Sequence, residues 1–230
     1  MDYEAIFWDI GGVILDLQSV RAGHRAFVES LADEHDLGTE RALETWREEL
    51  GTHFTTREGT EFRSARVGYH RAVAAMVGHE IPEEKWLPAF ERATRESLEP
   101  VDETVEAIRR LDGHLHQGVL SDIDTWEGER LLSQFGVADH LDAVTTSEEV
   151  GRTKPDPAMF ETALDKADVD PARALMVGDR YTNDMEGASR AGVHSVAFGG
   201  SASEADSDDP AVTYRIASPT EILDIVGVRG

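Results

Sequence analysis

The chain has 230 residues, 40% of them hydrophobic, no cysteine and a formal net charge of −24. That length holds one large domain, or a domain with an inserted subdomain, and the missing cysteines exclude disulfides and thiolate metal sites. The charge excludes partners that are themselves polyanions, so neither nucleic acid nor an anionic membrane surface is expected, and no apolar run approaches the ~18 residues of a membrane span.

The chain opens Met1-Asp2-Tyr3-Glu4, acidic where a secretory signal would be basic, so a cytoplasmic location is expected. Ala5 to Val13 then reads Ala-Ile-Phe-Trp-Asp-Ile-Gly-Gly-Val. An apolar run meets an aspartate and a glycine turn follows at once. This is the pattern of a buried strand that delivers one carboxylate, Asp9, to the edge of a sheet. Residues 17–95 carry a helical period, with Phe27, Leu31, Trp46, Leu50, Tyr69, Val73, Met76, Trp86 and Phe90 as its apolar positions. Beyond about residue 97 strands and helices alternate. Strands are predicted at Gly118–Ser121, Ala143–Thr146, Ala174–Val177 and Ser195–Phe198, with a short one at Tyr214–Ile216. Helices are predicted at Val101–Leu111, Glu127–Phe135, Pro157–Lys166, Met185–Ala191 and Pro219–Val226. Such alternation implies an α/β fold, a Rossmann-like open parallel sheet with helices on both faces. Residues 1–16 and 97–230 would form this core. Residues 17–96 would be an inserted α-helical cap subdomain, placed to cover the strand ends. Ser201–Pro210 is expected to be a mobile, solvated acidic loop.

Polar groups follow the predicted strands. The first strand offers Asp9, the second the hydroxyl of Ser121. After the third comes Gly-Arg-Thr-Lys-Pro-Asp-Pro, with Lys154 ahead of a helix that Asp156 can cap and Pro157 can begin. The fourth runs into Gly-Asp-Arg-Tyr-Thr-Asn-Asp and offers Asp179 and Asp184. In a parallel sheet these ends share one edge. Taken singly, each residue has an ordinary reading as a cap, a turn hydroxyl or a surface lysine. Together they make a specific set. Three carboxylates at one point repel each other unless a cation sits among them, and hard oxygen ligands suit Mg²⁺. The cation and Lys154 would neutralise a phosphoryl group and let the anionic Asp9 approach phosphorus. Ser121 and the backbone N–H groups of the Gly11-Gly12 turn would hold the remaining phosphoryl oxygens.

This set resembles the haloacid dehalogenase superfamily, most of whose members are phosphatases. The resemblance covers residues 5–16 and about 97–199. Phe-Trp-Asp-Ile-Gly-Gly-Val is similar to the family's first motif, Leu120-Ser121 to its second, Lys154 in Lys-Pro-Asp-Pro to its third, and Gly178 to Asp184 to its fourth. The resemblance implies an aspartyl-phosphate intermediate on Asp9, with Ser121 and Lys154 as its catalytic companions. It also implies a magnesium site formed by Asp9, the Gly11 carbonyl, Asp179 and, through water or outer contacts, Asp184.

One position departs from the family pattern. Members with full phosphatase activity carry a second acid two residues after the nucleophile, where this chain has Gly11. General acid–base catalysis typically contributes about 10²–10⁴ in rate, so slow turnover or a preference for good leaving groups is expected. Asp16 and Asp122 are weak candidates to replace it. His53, Arg57 and Arg63 are candidate substrate contacts from the helical block. The expected function is a Mg²⁺-dependent phosphohydrolase of a small phosphorylated metabolite, working as a monomer or homodimer. The alternatives are a phosphate-binding or regulatory relative with little turnover, and a 2-haloacid dehalogenase. The acidity itself, with three lysines against nineteen arginines, suggests a halophilic protein, in which salt screens the self-repulsion.

Overall fold

The computed structural model describes residues 2–228, so Met1, Arg229 and Gly230, at the ends of the expected core, lie outside the described residues. The chain divides into two compact units, Met1–Asp16 with Pro100–Gly230, and Leu17–Glu99. Strand β1 (Ala5–Trp8) opens the first, and its four residues are at most 1% exposed. Burial on both faces is why the sequence there is an unbroken apolar run rather than an alternating one.

The second unit holds four helices, α1 (Leu17–Glu34), α2 (Thr39–Thr55), α3 (Ala65–Val77) and α4 (Glu83–Ser97). Their apolar stripes meet in one cluster around Phe27, Trp46, Tyr69, Trp86 and Phe90. Trp46 stacks on Tyr69 with ring centroids 5.6 Å apart and planes 11° from parallel. Burying one such side chain stabilises by about 1.5–3 kcal/mol. This cluster, rather than helix propensity, therefore holds the unit together. Gly23 brings α1 close to α4, since a Cβ there would lie 3.3 Å from the Thr94 Cα.

The chain re-enters the first unit through α5 (Asp102–Leu111), which has Asp102 and Glu103 in its first turn and Arg109 and Arg110 in its last, the order that complements a helix dipole. There follow β2 (His116–Ser121), α6 (Thr125–Gln134), β3 (Ala143–Thr146), α7 (Ser147–Val150), α8 (Pro157–Ala167), β4 (Ala174–Gly178), α9 (Gly187–Arg190), β5 (His194–Ala197), α10 (Gly200–Ser203), β6 (Tyr214–Arg215) and α11 (Ile222–Val226). Asp156 caps α8, accepting from the Ala158 amide at 3.1 Å, with Pro157 in the first turn. The six strands form one parallel sheet in the order β3-β2-β1-β4-β5-β6. The strand order reverses between β1 and β4, and such switch points are where open α/β sheets place their ligands.

Two local expectations need correction. The helix predicted to begin at Met185 begins earlier, as a π-helical turn over Tyr181–Glu186 that runs on into α9. The segment expected to be a mobile acidic loop starts with α10, where Ala202 is fully buried and its amide donates to the Asp179 carbonyl at 2.9 Å. Tyr181 ties the same segment down. Its amide donates to Ser201 Oγ at 3.0 Å and its hydroxyl to Asp209 at 2.8 Å.

Candidate active site

Asp9 stands one residue beyond the paired end of β1, where Trp8 lies between Val119 of β2 and Val177 of β4. The carboxylate is 6% exposed, and three donors converge on its Oδ1. These are the Ile10 amide at 2.8 Å, Ser121 Oγ at 2.8 Å and Lys154 Nζ at 3.2 Å. No described residue donates to Oδ2. The chain after Asp9 is a tight loop in which the Val13, Ile14 and Leu15 amides all point at the Ile10 carbonyl. Of its two glycine amides, that of Gly12 is committed to the Leu15 carbonyl at 2.9 Å. The expectation that both would face a phosphoryl group is thereby reduced to Gly11. Gly12 has φ +76°, and a Cβ there would lie 2.5 Å from Asp179 Oδ2. Glycine at 12 thus serves both the turn and the close approach of the acid.

Lys154 is 1% exposed. Its ammonium reaches Asp184 Oδ1 at 2.6 Å, the Leu120 carbonyl at 2.9 Å and Asp9 at 3.2 Å. Burial works to drive its proton off, but Asp184, Asp9 and Asp122 outweigh burial and hold its pKa above the ordinary lysine value. Asp184, also buried, sits on the π-helical turn. Its Oδ2 accepts from the Arg180 amide at 2.9 Å, and Gly178 leaves the space it fills, since a Cβ at 178 would collide with it. Extra winding of this kind is frequent where a helix start must present a side chain to a site. Asp179 extends from the end of β4 between Gly12 and Gly200, and a Cβ at 200 would collide with its carbonyl. Oxygens of Asp9, Asp179 and Asp184 all lie within 4.8 Å of one another.

The structure thus brings Asp9, Ser121, Lys154, Asp179 and Asp184 to one point, with Gly11 two residues beyond Asp9 in the loop that follows it. A family model for haloacid dehalogenase-like hydrolases matches residues 3–192.

The chain belongs to the haloacid dehalogenase-like hydrolases.

Among curated members, a haloacid dehalogenase-like hydrolase domain-containing protein 3 of Mus musculus is 40% identical over 108 residues, 47% of this chain and 42% of that one. A glyceraldehyde 3-phosphate phosphatase of Methanopyrus kandleri is 31% identical over 134 residues, 56% of this chain and 57% of that one. The match therefore spans about half the length of these relatives. Two solved structures share the whole fold. A HAD phosphatase from Thermococcus onnurineus superposes with TM-score 0.74 at 21% identity over 98% of this chain and 99% of its own. A 2-haloacid dehalogenase from Pseudomonas syringae superposes with TM-score 0.72 at 18% identity over 98% of both chains. The fold alone therefore does not choose between the two chemistries.

For this haloacid dehalogenase-like hydrolase the electrostatics of the cluster add to what the fold shows. Three buried carboxylates face the Lys154 ammonium, and the Arg180 guanidinium also acts on Asp179 and Asp9. Burial, and then the charge of Asp9, push Asp179 above its ordinary pKa. Asp184 is raised for the same two reasons, against the pull of Lys154. Asp179 Oδ1 is buried with no hydrogen-bond partner, a costly state for an anion unless a cation completes it. The donor set is all oxygen, and the residues fit a hard divalent ion.

Several features of this hydrolase site are hard to see in a sequence. Gly178 and Gly200 matter because of what they leave room for, and their only sequence signal is glycine at a strand end. Asp122 accepts from the Lys154 amide at 2.7 Å, Ser147 Oγ at 3.0 Å and Asn183 Nδ2 at 3.0 Å. It is therefore bonded within the loops rather than free to act as an acid. Arg63 and His53, expected as substrate contacts, are occupied inside the helical unit. Arg63 donates to the carbonyls of His53 and Thr56, each at 2.8 Å, and His53 Nε2 pairs with the Ser64 carbonyl at 2.9 Å. Arg57 is half-buried in the same helical unit.

Proposed function

We propose that the chain is a Mg²⁺-dependent phosphohydrolase of small phosphorylated metabolites, acting through a phosphorylated Asp9. The single observation that carries this reading is the trio Asp9, Asp179 and Asp184 facing one lysine, with a buried carboxylate oxygen of Asp179 left unpartnered. A dehalogenase also uses an aspartate nucleophile but has no need of two further acids beside it. Mg²⁺ held by Asp9, Asp179, Asp184 and the Gly11 carbonyl would supply positive charge against the phosphoryl oxygens.

The chain's own residues do the rest. Three donors fix Oδ1 of Asp9, so the lone pairs of Oδ2 face the incoming group. The Oδ2–phosphorus bond forms as the bond from phosphorus to the leaving oxygen breaks. Ser121 Oγ can turn from Oδ1 to a phosphoryl oxygen, while the Lys154 ammonium stays on Oδ1 and its charge stabilises the phosphoryl group. Water then attacks phosphorus and returns Asp9 as the carboxylate. No side chain at position 11 donates a proton to the leaving oxygen, so phosphates of acidic alcohols are the favoured substrates. The helical insertion serves as the substrate-selecting cap on this reading, and the charge of −24 suits a saline interior.

The test is hydrolysis of para-nitrophenyl phosphate with and without chelator. Wild type should turn over only with Mg²⁺, and Asp9→Asn should lose at least about 10³-fold, the scale of nucleophile loss. An Asp9→Asn enzyme with wild-type turnover would refute the mechanism. Chloride release from a 2-haloacid in the presence of chelator would favour the dehalogenase instead.

A further inference from the structure

We propose that Asp122 is the positioning residue that sets the distance between Lys154 and Asp184. The inference rests on the function proposed above but concerns a residue that none of that chemistry uses. Its carboxylate is divided between two loops. Oδ1 accepts from the Lys154 main-chain amide at 2.7 Å and from Ser147 Oγ at 3.0 Å. Oδ2 accepts from Asn183 Nδ2 at 3.0 Å. Lys154 and Asn183 belong to different loops, one before α8 and the other on the π-helical turn, and Asn183 directly precedes Asp184.

One side chain thus joins the main chain of the ammonium bearer to the neighbour of its carboxylate partner. The Lys154 ammonium meanwhile returns to the Leu120 carbonyl, two residues before Asp122. The loop is closed, running from Leu120 through Ser121 to Asp122, to Lys154 and back. Lys154 is shared between Asp184 at 2.6 Å and Asp9 at 3.2 Å. That division depends on the separation of the two loops. If the clasp opens, Lys154 can follow Asp184 away from Asp9, and the nucleophile loses a donor to its fixed oxygen.

The geometry also dictates how the clasp can be rebuilt. Asp122→Asn keeps an oxygen for Lys154 and Ser147 and turns an amide toward Asn183, whose own amide can flip to accept. Asn183→Asp instead sets two carboxylates face to face. Asp122→Asn combined with Asn183→Asp restores the bond with donor and acceptor exchanged.

The experiment measures kcat and KM for para-nitrophenyl phosphate at saturating Mg²⁺, with melting temperatures for each variant. Asp122→Ala should lower kcat by about 10–100-fold, the usual effect of losing a group that orients metal-site ligands, with KM within about threefold and a cooperative melt retained. Asn183→Asp should fall comparably, and the double variant should recover at least about tenfold of that loss. Asp122→Ala with kcat within about twofold of wild type, or a double variant no faster than Asn183→Asp, overturns the proposal. Amide hydrogen exchange at Lys154 separates this claim from the reaction itself. The amide should be protected in wild type and Asp122→Asn and lose that protection in Asp122→Ala, whether or not the enzyme turns over. Equal exchange in wild type and Asp122→Ala also overturns it. A wild type that fails to hydrolyse any phosphate, with the exchange difference intact, overturns only the proposed reaction.

Discussion

On the proposed mechanism Gly11 is the residue with the largest chemical consequence, because the family resemblance implies an acid at that position. Its φ lies outside the left-handed region that would demand glycine, so an aspartate can be accommodated by the backbone. Gly11→Asp should therefore speed hydrolysis of alkyl phosphates more than aryl ones, since only a poor leaving group needs the proton. The general-acid contribution of about 10²–10⁴ sets the ceiling. A linear free-energy plot over leaving groups of graded acidity checks it, and an equal gain at both ends would count against this account of Gly11. At this scale the sequence pointed to Asp9, Ser121 and Asp179 because each ends an apolar run that forms a strand, whereas Lys154 and Asp184 lie further along, beyond β3 and β4, and are marked by the parallel-sheet argument alone. Asp122, Ser147 and Asn183 were not legible in the same way. Short polar side chains accept and donate in many directions, and only the loop geometry decides which partner each one meets.

At the level of elements, the parallel strands and most helices follow directly from apolar runs and the helical period. The π-helical turn does not, because it answers to a steric fact, the space that Gly178 yields to Asp184. Likewise α10 lies in a segment whose composition reads as solvated loop, and it is ordered by bonds to the Asp179 carbonyl and through Ser201 together with the burial of Ala202 against Met185 and Ala197. The helical unit adds a pH effect of its own. His24 packs within 5.6 Å of Trp46, Tyr69 and Phe90, and burial lowers its pKa from 6.5 to about 4. The unfolded chain takes up a proton near 6.5 that the folded unit refuses until about 4. His24 thus imposes no penalty above pH 6.5, and stability is lost progressively as pH falls from there to about 4. The full effect is at most about 3 kcal/mol. His24→Phe should melt at a similar temperature at pH 7.5 and hold its advantage over wild type increasingly toward pH 4.5. Parallel melting curves across that range would show that the cage does not exclude the proton.

For the whole molecule the governing quantity is the charge of −24 over 230 residues. Among the described residues no helix is long and apolar enough to cross a membrane. Self-repulsion among these charges is relieved when the screening length shrinks from about 10 Å at 0.1 M salt to about 3 Å at 1 M. The melting temperature should therefore climb with added KCl, most steeply below about 1 M. A flat or falling curve would mean that local ion pairs, which salt weakens, dominate the balance instead.

The bond between the Val101 amide and the Ile14 carbonyl, at 2.8 Å, and the antiparallel bridge between Leu15 and Pro100 put the two ends of the insertion side by side on the sheet unit. The chain exits and returns through a single doorway. A graft made there exchanges everything from Leu17 to Glu99 without touching a strand, so the sheet works as a socket into which helical cassettes from other members could be plugged.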